Sequence, residues 1–460
     1  MSGLSDRKIE IVRHLVESAP DKVVGGLQNA LAAASGDSVL AGVRRLVEGE
    51  VADRRLRNAV LSPVAPLFIG DGSDPERLVF PSRVLALIWR ALKATAPDEV
   101  LKAERTLVDY RADETSTEPF DVLVVLAADG LREREQRDFA AAAELADQCR
   151  TGGAELLLSC LALSPIVREA TLRLPEWISR TTDERAAAAR VAYKDAVAIS
   201  DDAGPRFFDM LAAQLAERWT ILRIVSAVMD RPTEHYLAAS ELSVFATRVM
   251  DEIDKNLLKV VHLDLDGGPQ AGRDAGATVE LITLQIAEME NAIDLGREGG
   301  WGGRVQKQKK GLASVVEGRL RECEKVIGAA LPSQTVRVAR MMKSLPRLTG
   351  EPDAKAVGRA MTLLTFIESV RTSANYGGFA STRAKVVEKI GETIDDYVEE
   401  ALALIREGVV EDPESGRAHL MVAADCAALL REPRAGDVIR RRATAALGAV
   451  KAESPAAAAE

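Results

Sequence analysis

The fold of this chain is predicted most clearly by residues 276–331, GATVELITLQIAEMENAIDLGREGGWGGRVQKQKKGLASVVEGRLRECEKVIGAAL. Apolar side chains in its first half advance by three or four positions: Val279, Ile282, Ile286, Met289 and Ile293. A similar series occupies the second half: Leu312, Val316, Leu320, Cys323 and Ile327. This spacing places each series on one face of an α-helix. Because a glycine-rich stretch separates the two series, the segment predicts two helices that pack antiparallel.

A third apolar series precedes this segment and extends the predicted bundle. It runs through residues 233–261 as Leu242, Phe245, Val249, Ile253, Leu257 and Val260. The intervening residues 264–276, rich in glycine and aspartate, predict a loop that reverses the chain. We therefore expect a long antiparallel helical hairpin near residues 233–331, buried in a bundle.

The composition favours an all-α protein. Aromatic residues make up only 4% of the 460-residue chain, and small straight side chains fill the predicted core. Strands need more aromatic and β-branched residues than that. We found no fixed-period repeat, so the expected architecture is a multi-helix bundle or an irregular helical array. Two local predictions follow from proline and charge: a helix begins at Pro165 and stops at Pro175, and residues 333–348 form a short basic helix.

Breaks in the helical pattern divide the chain into five predicted regions. They are an N-terminal helical region (1–115), a second helical region (116–230), a long-helix bundle with a glycine-rich basic tip (231–348), a C-terminal helical region (349–450) and a disordered tail (451–460). The boundary after 115 rests on a polar linker at 111–118, and the boundary after 348 rests on Gly350 and Pro352.

Charge and hydropathy favour a cytoplasmic location. The formal net charge is -10, which argues against a protein covered in nucleic acid. Charged residues stand near the N-terminus where a secretion signal needs an apolar run. The longest uncharged stretches are about a dozen residues, well short of the roughly 18 that span a bilayer.

Catalytic and metal-binding signatures are missing from the sequence. It contains no P-loop, no H-E-x-x-H and no G-x-S-x-G. The four cysteines form no CxxC pair, and the four histidines lie far apart. We therefore expect no catalytic, cofactor-binding or metal-binding residues and favour a non-enzymatic role. A helical enzyme whose site is assembled from distant helices remains an alternative.

The glycine-rich tip is the candidate interaction site. Residues 296–303 surround Trp301 with glycines, and glycine permits backbone conformations that other residues resist. The pattern predicts a large aromatic anchor on a flexible mount, followed by basic residues. The predicted partner-binding residues are Arg297, Trp301, Arg304, Lys307, Lys309 and Lys310.

Charge is segregated beyond the tip, which leaves several interpretations open. Residues 304–347 carry eleven basic and three acidic side chains, or +8, whereas 392–414 carry nine acids and one arginine, or -8. These two segments can pair within one molecule or between two subunits. Otherwise the basic segment binds another protein, an anionic membrane or nucleic acid. We favour a protein-interaction, scaffold or regulatory role in which the tip meets a partner protein, with a homo-oligomer as one possibility. The alternative is a peripheral binder of membrane or nucleic acid through 304–347.

Overall fold

The computed structural model describes residues 6–34, 40–74, 76–109, 116–179, 182–200, 202–229, 231–338 and 341–453. Within these ranges the chain forms nineteen α-helices and one small two-stranded sheet, which confirms the all-α prediction. It divides into two compact units. Unit 1 comprises residues 1–231 with 240–242, and unit 2 comprises 232–239 with 243–460. The finer five-region division stays a prediction. Its linker at 111–118 and its tail at 451–460 lie largely outside the described residues.

Unit 1 contains eleven of the described helices. They are α1 (Asp6–Ser18), α2 (Asp21–Ala33), α3 (Ala41–Val60), α4 (Ser82–Thr95), α5 (Pro97–Asp109), α6 (Glu118–Glu133), α7 (Arg137–Cys149), α8 (Gly153–Ser179), α9 (Asp183–Val197), α10 (Ala203–Ala213) and α11 (Leu222–Ala227). The first three helices share a small apolar cluster around Val24 and Val47. Phe139, Phe207 and Phe208 are fully buried among the later helices.

Helix α8 corrects the prediction that Pro165 begins a helix and Pro175 ends one. Both prolines lie inside the single helix Gly153–Ser179. An internal proline removes a backbone hydrogen bond at a cost of about 3 kcal/mol or more. Leu161, Leu163 and Val167 flank Pro165 and are completely buried, so burial of both halves offsets that cost.

Unit 2 contains the remaining helices and the sheet. Its elements are α12 (Glu234–Ala238), α13 (Ser243–Val261), α14 (Gly268–Ala292), α15 (Gly300–Ala330), β1 (Ser333–Val338), β2 (Met341–Pro346), α16 (Ala354–Ser369), α17 (Ala380–Arg406), α18 (Pro413–Leu430) and α19 (Pro433–Glu453).

The predicted long antiparallel hairpin is confirmed in α13, α14 and α15. All ten apolar residues of the two series in 276–331 are at most 2% exposed. The range 233–261 is divided between the separate helices α12 and α13, and the third series runs from Leu242 along α13 alone. The predicted loop at 264–276 is shorter than expected: α14 begins at Gly268, behind a short turn at Leu265–Gly267.

Two glycines in this misjudged stretch are contact residues of α14. A Cβ atom on Gly272 would lie 2.3 Å from the Thr362 carbonyl oxygen in α16. A Cβ on Gly276 would lie 2.3 Å from the Ser369 Cβ. The G-x-x-x-G spacing puts both on one face, where α14 and α16 approach more closely than alanine allows.

The predicted basic helix at 333–348 is wrong, since these residues form an antiparallel hairpin. β1 pairs with β2 in a register that sets Ser333 opposite Pro346 and Val336 opposite Lys343. Thr335 and Val336 are β-branched, which favours a strand. Pro346 lacks the N–H that the last turn of a helix needs. At the base, the Arg347 N–H donates to the Pro332 carbonyl at 2.8 Å.

Candidate functional site

The glycine-rich tip is held by a carboxylate that lies far away in sequence. Glu234, the first residue of α12, accepts backbone hydrogen bonds from Gly296 at 2.9 Å, Trp301 at 2.6 Å and Gly302 at 3.1 Å. Two of these N–H groups belong to the first turn of α15, which has no intrahelical acceptor for them. A negative charge there also complements the helix dipole. Glu234 therefore caps the longest described helix of the chain.

The glycines of the tip are required by this cap. A Cβ on Gly300 would lie 1.9 Å from Glu234 Oε1, and Gly300 has a φ of +52°. A Cβ on Gly302 would lie 1.9 Å from the Gly296 carbonyl oxygen. Both positions exclude any side chain, because the carboxylate and the turn occupy that space.

The structure therefore does not place Trp301 on a free glycine loop. Trp301 belongs to the first turn of α15 and is half-buried. Partial burial raises the pKa of Glu234, but the three N–H donors outweigh it and hold that pKa below its usual value. Glu234 thus stays ionised at neutral pH and keeps the tip closed around itself.

Arg304 is engaged inside unit 2. Its guanidinium contacts Asp251 at 2.6 Å and Asp254 at 2.5 Å, both on α13. Gln308, one turn further along α15, donates to the Met250 carbonyl and to Asp254, each at 2.7 Å. These contacts fix α15 against α13, so Arg304 acts in packing.

Lys309 is also committed within the fold. Its Nζ lies 3.1 Å from Glu290 Oε2 on α14 and 4.3 Å from the centre of the Tyr376 ring. The Tyr376 hydroxyl donates a hydrogen bond to the same carboxylate. Burial and the Glu290 contact raise the pKa of Tyr376. The trio connects α14 and α15 to the turn after α16.

The other three predicted residues remain available. Arg297, Lys307 and Lys310 are exposed and make no ion pair within the described residues. Lys307 and Lys310 begin a line of exposed positions along α15 that continues through Ser314, Gly318, Arg321 and Lys325. Steps of three and four keep the line on one face of the helix. We call Lys307, Lys310, Arg321 and Lys325 the basic stripe.

The acids of α15 do not neutralise the whole stripe. Glu317, Glu322 and Glu324 are half-buried, whereas every exposed charged residue of α15 is basic. Glu317 pairs with Arg321 at 2.9 Å and Glu322 with Arg319 at 2.5 Å. A third pair joins Glu324 to Lys389 of α17 at 2.6 Å. Lys307, Lys310 and Lys325 keep no acidic partner within the described residues.

The basic and acidic segments barely pair with each other. Among the described residues one ion pair joins 304–347 to 392–414, between Lys343 and Glu400 at 2.7 Å. The acids of α17 form ion pairs instead with an arginine that follows α18 and with one in α19. Asp395 pairs with Arg431 at 2.7 Å, and Glu399 pairs with Arg442 at 2.6 Å. Pairing with the acidic segment therefore neutralises only one described residue of the basic segment, Lys343.

A cleft in unit 1 is lined in part by Arg168. The Arg168 guanidinium donates hydrogen bonds to Asp121 at 2.8 Å, to the Val60 carbonyl at 2.6 Å and to the Ala59 carbonyl at 2.7 Å. With its donors used in this way, Arg168 caps the end of α3.

Among the described residues no group of three or more His, Cys, Asp or Glu side chains is arranged to hold a metal. Nor does any described helix have the length and apolarity to cross a membrane.

Sequence reasoning missed Glu234 and the hairpin. Glu234 lies 67 residues before Trp301, and no local pattern marks it as the cap of α15. The hairpin carried a signal in Thr335 and Val336, which the density of basic residues obscured.

Comparison with protein-family models, curated proteins and solved structures finds no match in any of the three.

Proposed function

We propose that this protein is a non-catalytic interaction module that binds an acidic partner protein through the basic stripe of α15. The supporting observation is the segregation of charge on that helix. Its exposed charges are all basic, while its acids are half-buried and hydrogen-bonded within the fold. A surface of one sign attracts and orients a partner of the opposite sign. A scaffold or regulatory role follows from binding of this kind.

The surroundings of the stripe favour protein over membrane. Peripheral membrane helices set large apolar side chains beside their basic ones. No large apolar side chain of α15 is exposed; Gln306, Ser314 and Gly318 share the exposed face with the stripe.

The surroundings of the stripe also favour a protein partner over a nucleic acid. Single strands are bound by basic grooves with exposed aromatic rings for stacking. The one aromatic residue of α15, Trp301, is half-buried.

The tip has a supporting role in this proposal. The Glu234 cap orders the first turn of α15, so that Lys307 and Lys310 project from a rigid helix. A pre-ordered surface loses less conformational entropy on binding than a mobile loop does. Arg297 extends the basic surface beyond the start of the helix.

The test is a charge reversal with a matched control. The first variant replaces Lys307, Lys310 and Lys325 by glutamate. The control replaces Lys22, Arg83 and Lys194 by glutamate as well. These three residues of unit 1 are exposed and form no ion pairs within the described residues. Each variant changes the net charge by three times -2, from -10 to -16. Three labelled probes are titrated at low salt: polyglutamate of about twenty residues, duplex DNA of about twenty base pairs, and phosphatidylserine vesicles.

We expect wild type to bind polyglutamate most tightly. The stripe variant should bind it at least about tenfold more weakly, and the control should bind within about threefold of wild type. Equal losses in the two variants would reduce the effect to net charge and refute the stripe. Tighter binding of DNA or vesicles by wild type would make the protein a peripheral binder of those polyanions. The proposed cytoplasmic location is tested separately, by fractionation of cells that express the tagged chain.

A further inference from the structure

The hairpin that follows α15 continues its basic surface. Between Glu324 and Glu351 the sequence has no acidic residue and five basic ones. These are Lys325, Arg337, Arg340, Lys343 and Arg347. On β1 every described side chain from Ser333 to Arg337 is exposed, as are Met342, Lys343 and Ser344 on β2. Met342 is 68% exposed. The ribbon therefore presents positive charge and an apolar side chain together.

The direction of each backbone N–H group on the hairpin follows from its base. The hydrogen bond from Arg347 to the Pro332 carbonyl marks that pair as hydrogen-bonded. Such pairs alternate along an antiparallel ladder. Gln334 and Val336 therefore point their N–H groups toward β2. Ser333, Thr335 and Arg337 point theirs away from it, and within the described residues none of these three donors has a partner.

The two outer edges of the ribbon are not equivalent. β2 packs against α17, and Lys343 pairs with Glu400 there. Its outer edge has donors at Met342 and Ser344, but Pro346 has none. The β1 edge offers three donors in succession, without an interrupting proline. An open edge of this kind is a template for another strand.

We propose that the outer edge of β1 binds an extended acidic segment of the partner protein as a third strand. Backbone groups of the segment would pair with Ser333, Thr335 and Arg337, and its carboxylates would meet Arg337 and the neighbouring cations. Pairing of two copies through this edge would bring two basic ribbons together, and the general repulsion between them disfavours it. The inference rests on the proposed function and specifies how the acidic partner docks.

Two proline variants separate strand addition from plain charge attraction. Thr335 and Ser344 face each other in the register, and both N–H groups point outward. Proline at either position removes an edge donor while the ladder within the hairpin is retained. Thr335→Pro blocks the β1 edge, and Ser344→Pro is the control on β2. Neither replacement changes the charge.

The probe is a fluorescein-labelled peptide of about ten residues in which glutamate alternates with threonine. Its binding to the full chain is followed by fluorescence anisotropy. We expect Thr335→Pro to weaken binding at least about tenfold, and Ser344→Pro to change it by no more than about threefold. Hydrogen exchange should show the Thr335 and Arg337 amides of wild type protected by the peptide, while slow exchange at Val336 reports an intact ladder in both variants.

Several results would overturn strand addition. They are no peptide binding by wild type, equal effects of the two prolines, tighter binding of duplex DNA, or concentration-dependent dimerisation that the peptide does not reverse. If Thr335→Pro disrupts the ladder, peptide binding is measured with Arg337→Glu instead. Unchanged peptide binding by Arg337→Glu would refute the inference. Loss of polyglutamate binding in the stripe variant together with a silent Thr335→Pro would refute strand addition and leave the proposed function standing.

Discussion

Glu234 Oε1 accepts a hydrogen bond from the backbone N–H of Trp301 at 2.6 Å, across 67 positions of sequence. The same carboxylate bonds Gly296 and Gly302, so one side chain closes the turn and starts α15. The basic stripe depends on this start, because its first member lies less than two turns away.

Removing the charge of Glu234 should loosen the first turn of α15. Glu234→Gln keeps the size of the side chain but weakens the hydrogen bonds and the interaction with the helix dipole, at a cost of about 1 kcal/mol. We expect faster hydrogen exchange at Trp301 and Gly302. Glu298→Gln is the control, since Glu298 is an exposed acid of the same loop without a partner in the described residues. Equal exchange in the two variants would contradict the capping role.

The Glu234 cap also predicts a pH dependence. Its folded pKa lies below the unfolded value, so its contribution to stability is present above the unfolded pKa of about 4.3 and is lost as pH falls through the folded pKa. Between about pH 5 and pH 3, the difference in unfolding free energy between wild type and Glu234→Gln should shrink. Denaturant unfolding across this range measures it. A difference that stays constant would show that the ionised carboxylate contributes nothing.

Two helical glycines should respond to alanine in opposite directions. Gly272→Ala drives a Cβ into the Thr362 carbonyl, and we expect a loss of about 2 kcal/mol or more because backbone must move. Gly318 has nothing within 4 Å of its Cβ position, so Gly318→Ala should stabilise by up to about 1 kcal/mol. Chemical denaturation of both variants gives the comparison. Similar values for the two would place α14 and α16 further apart than described.

Two buried glutamines offer a second opposed pair. Gln285 is completely buried, and both atoms of its amide lack a partner within the described residues, whereas Gln308 Nε2 has two acceptors. Gln285→Leu should stabilise the chain by about 1–3 kcal/mol, since it removes an uncompensated polar group. Gln308→Leu should destabilise it by about 1 kcal/mol, because it removes the hydrogen bonds to the Met250 carbonyl and to Asp254. The free energies of unfolding of both variants test this pair. Destabilisation by both replacements would refute the claim that the Gln285 amide is uncompensated.

Prediction from sequence succeeded where a pattern was local and repeated. The series from Val279 to Ile293 and from Leu312 to Ile327 identified the long hairpin, because helical periodicity is written directly into residue spacing. It failed at Pro165 and Gly272, where packing partners determine whether a breaker residue is tolerated. The sequence identified a basic region that contains the six candidate site residues. It could not show which of their side chains pair with acids inside the fold.

The sequence by itself determined the all-α class, the long helical hairpin of α13, α14 and α15 and the segregation of charge, since these depend on composition and on neighbours three or four residues apart. Only the tertiary structure decided the rest. It joined Glu234 to Trp301, paired Arg304 with Asp251 and Asp254, and left Lys307 and Lys310 exposed. Hydrogen bonds and ion pairs act over a few ångströms of space, and residues dozens of positions apart come within that range only after the helices have packed.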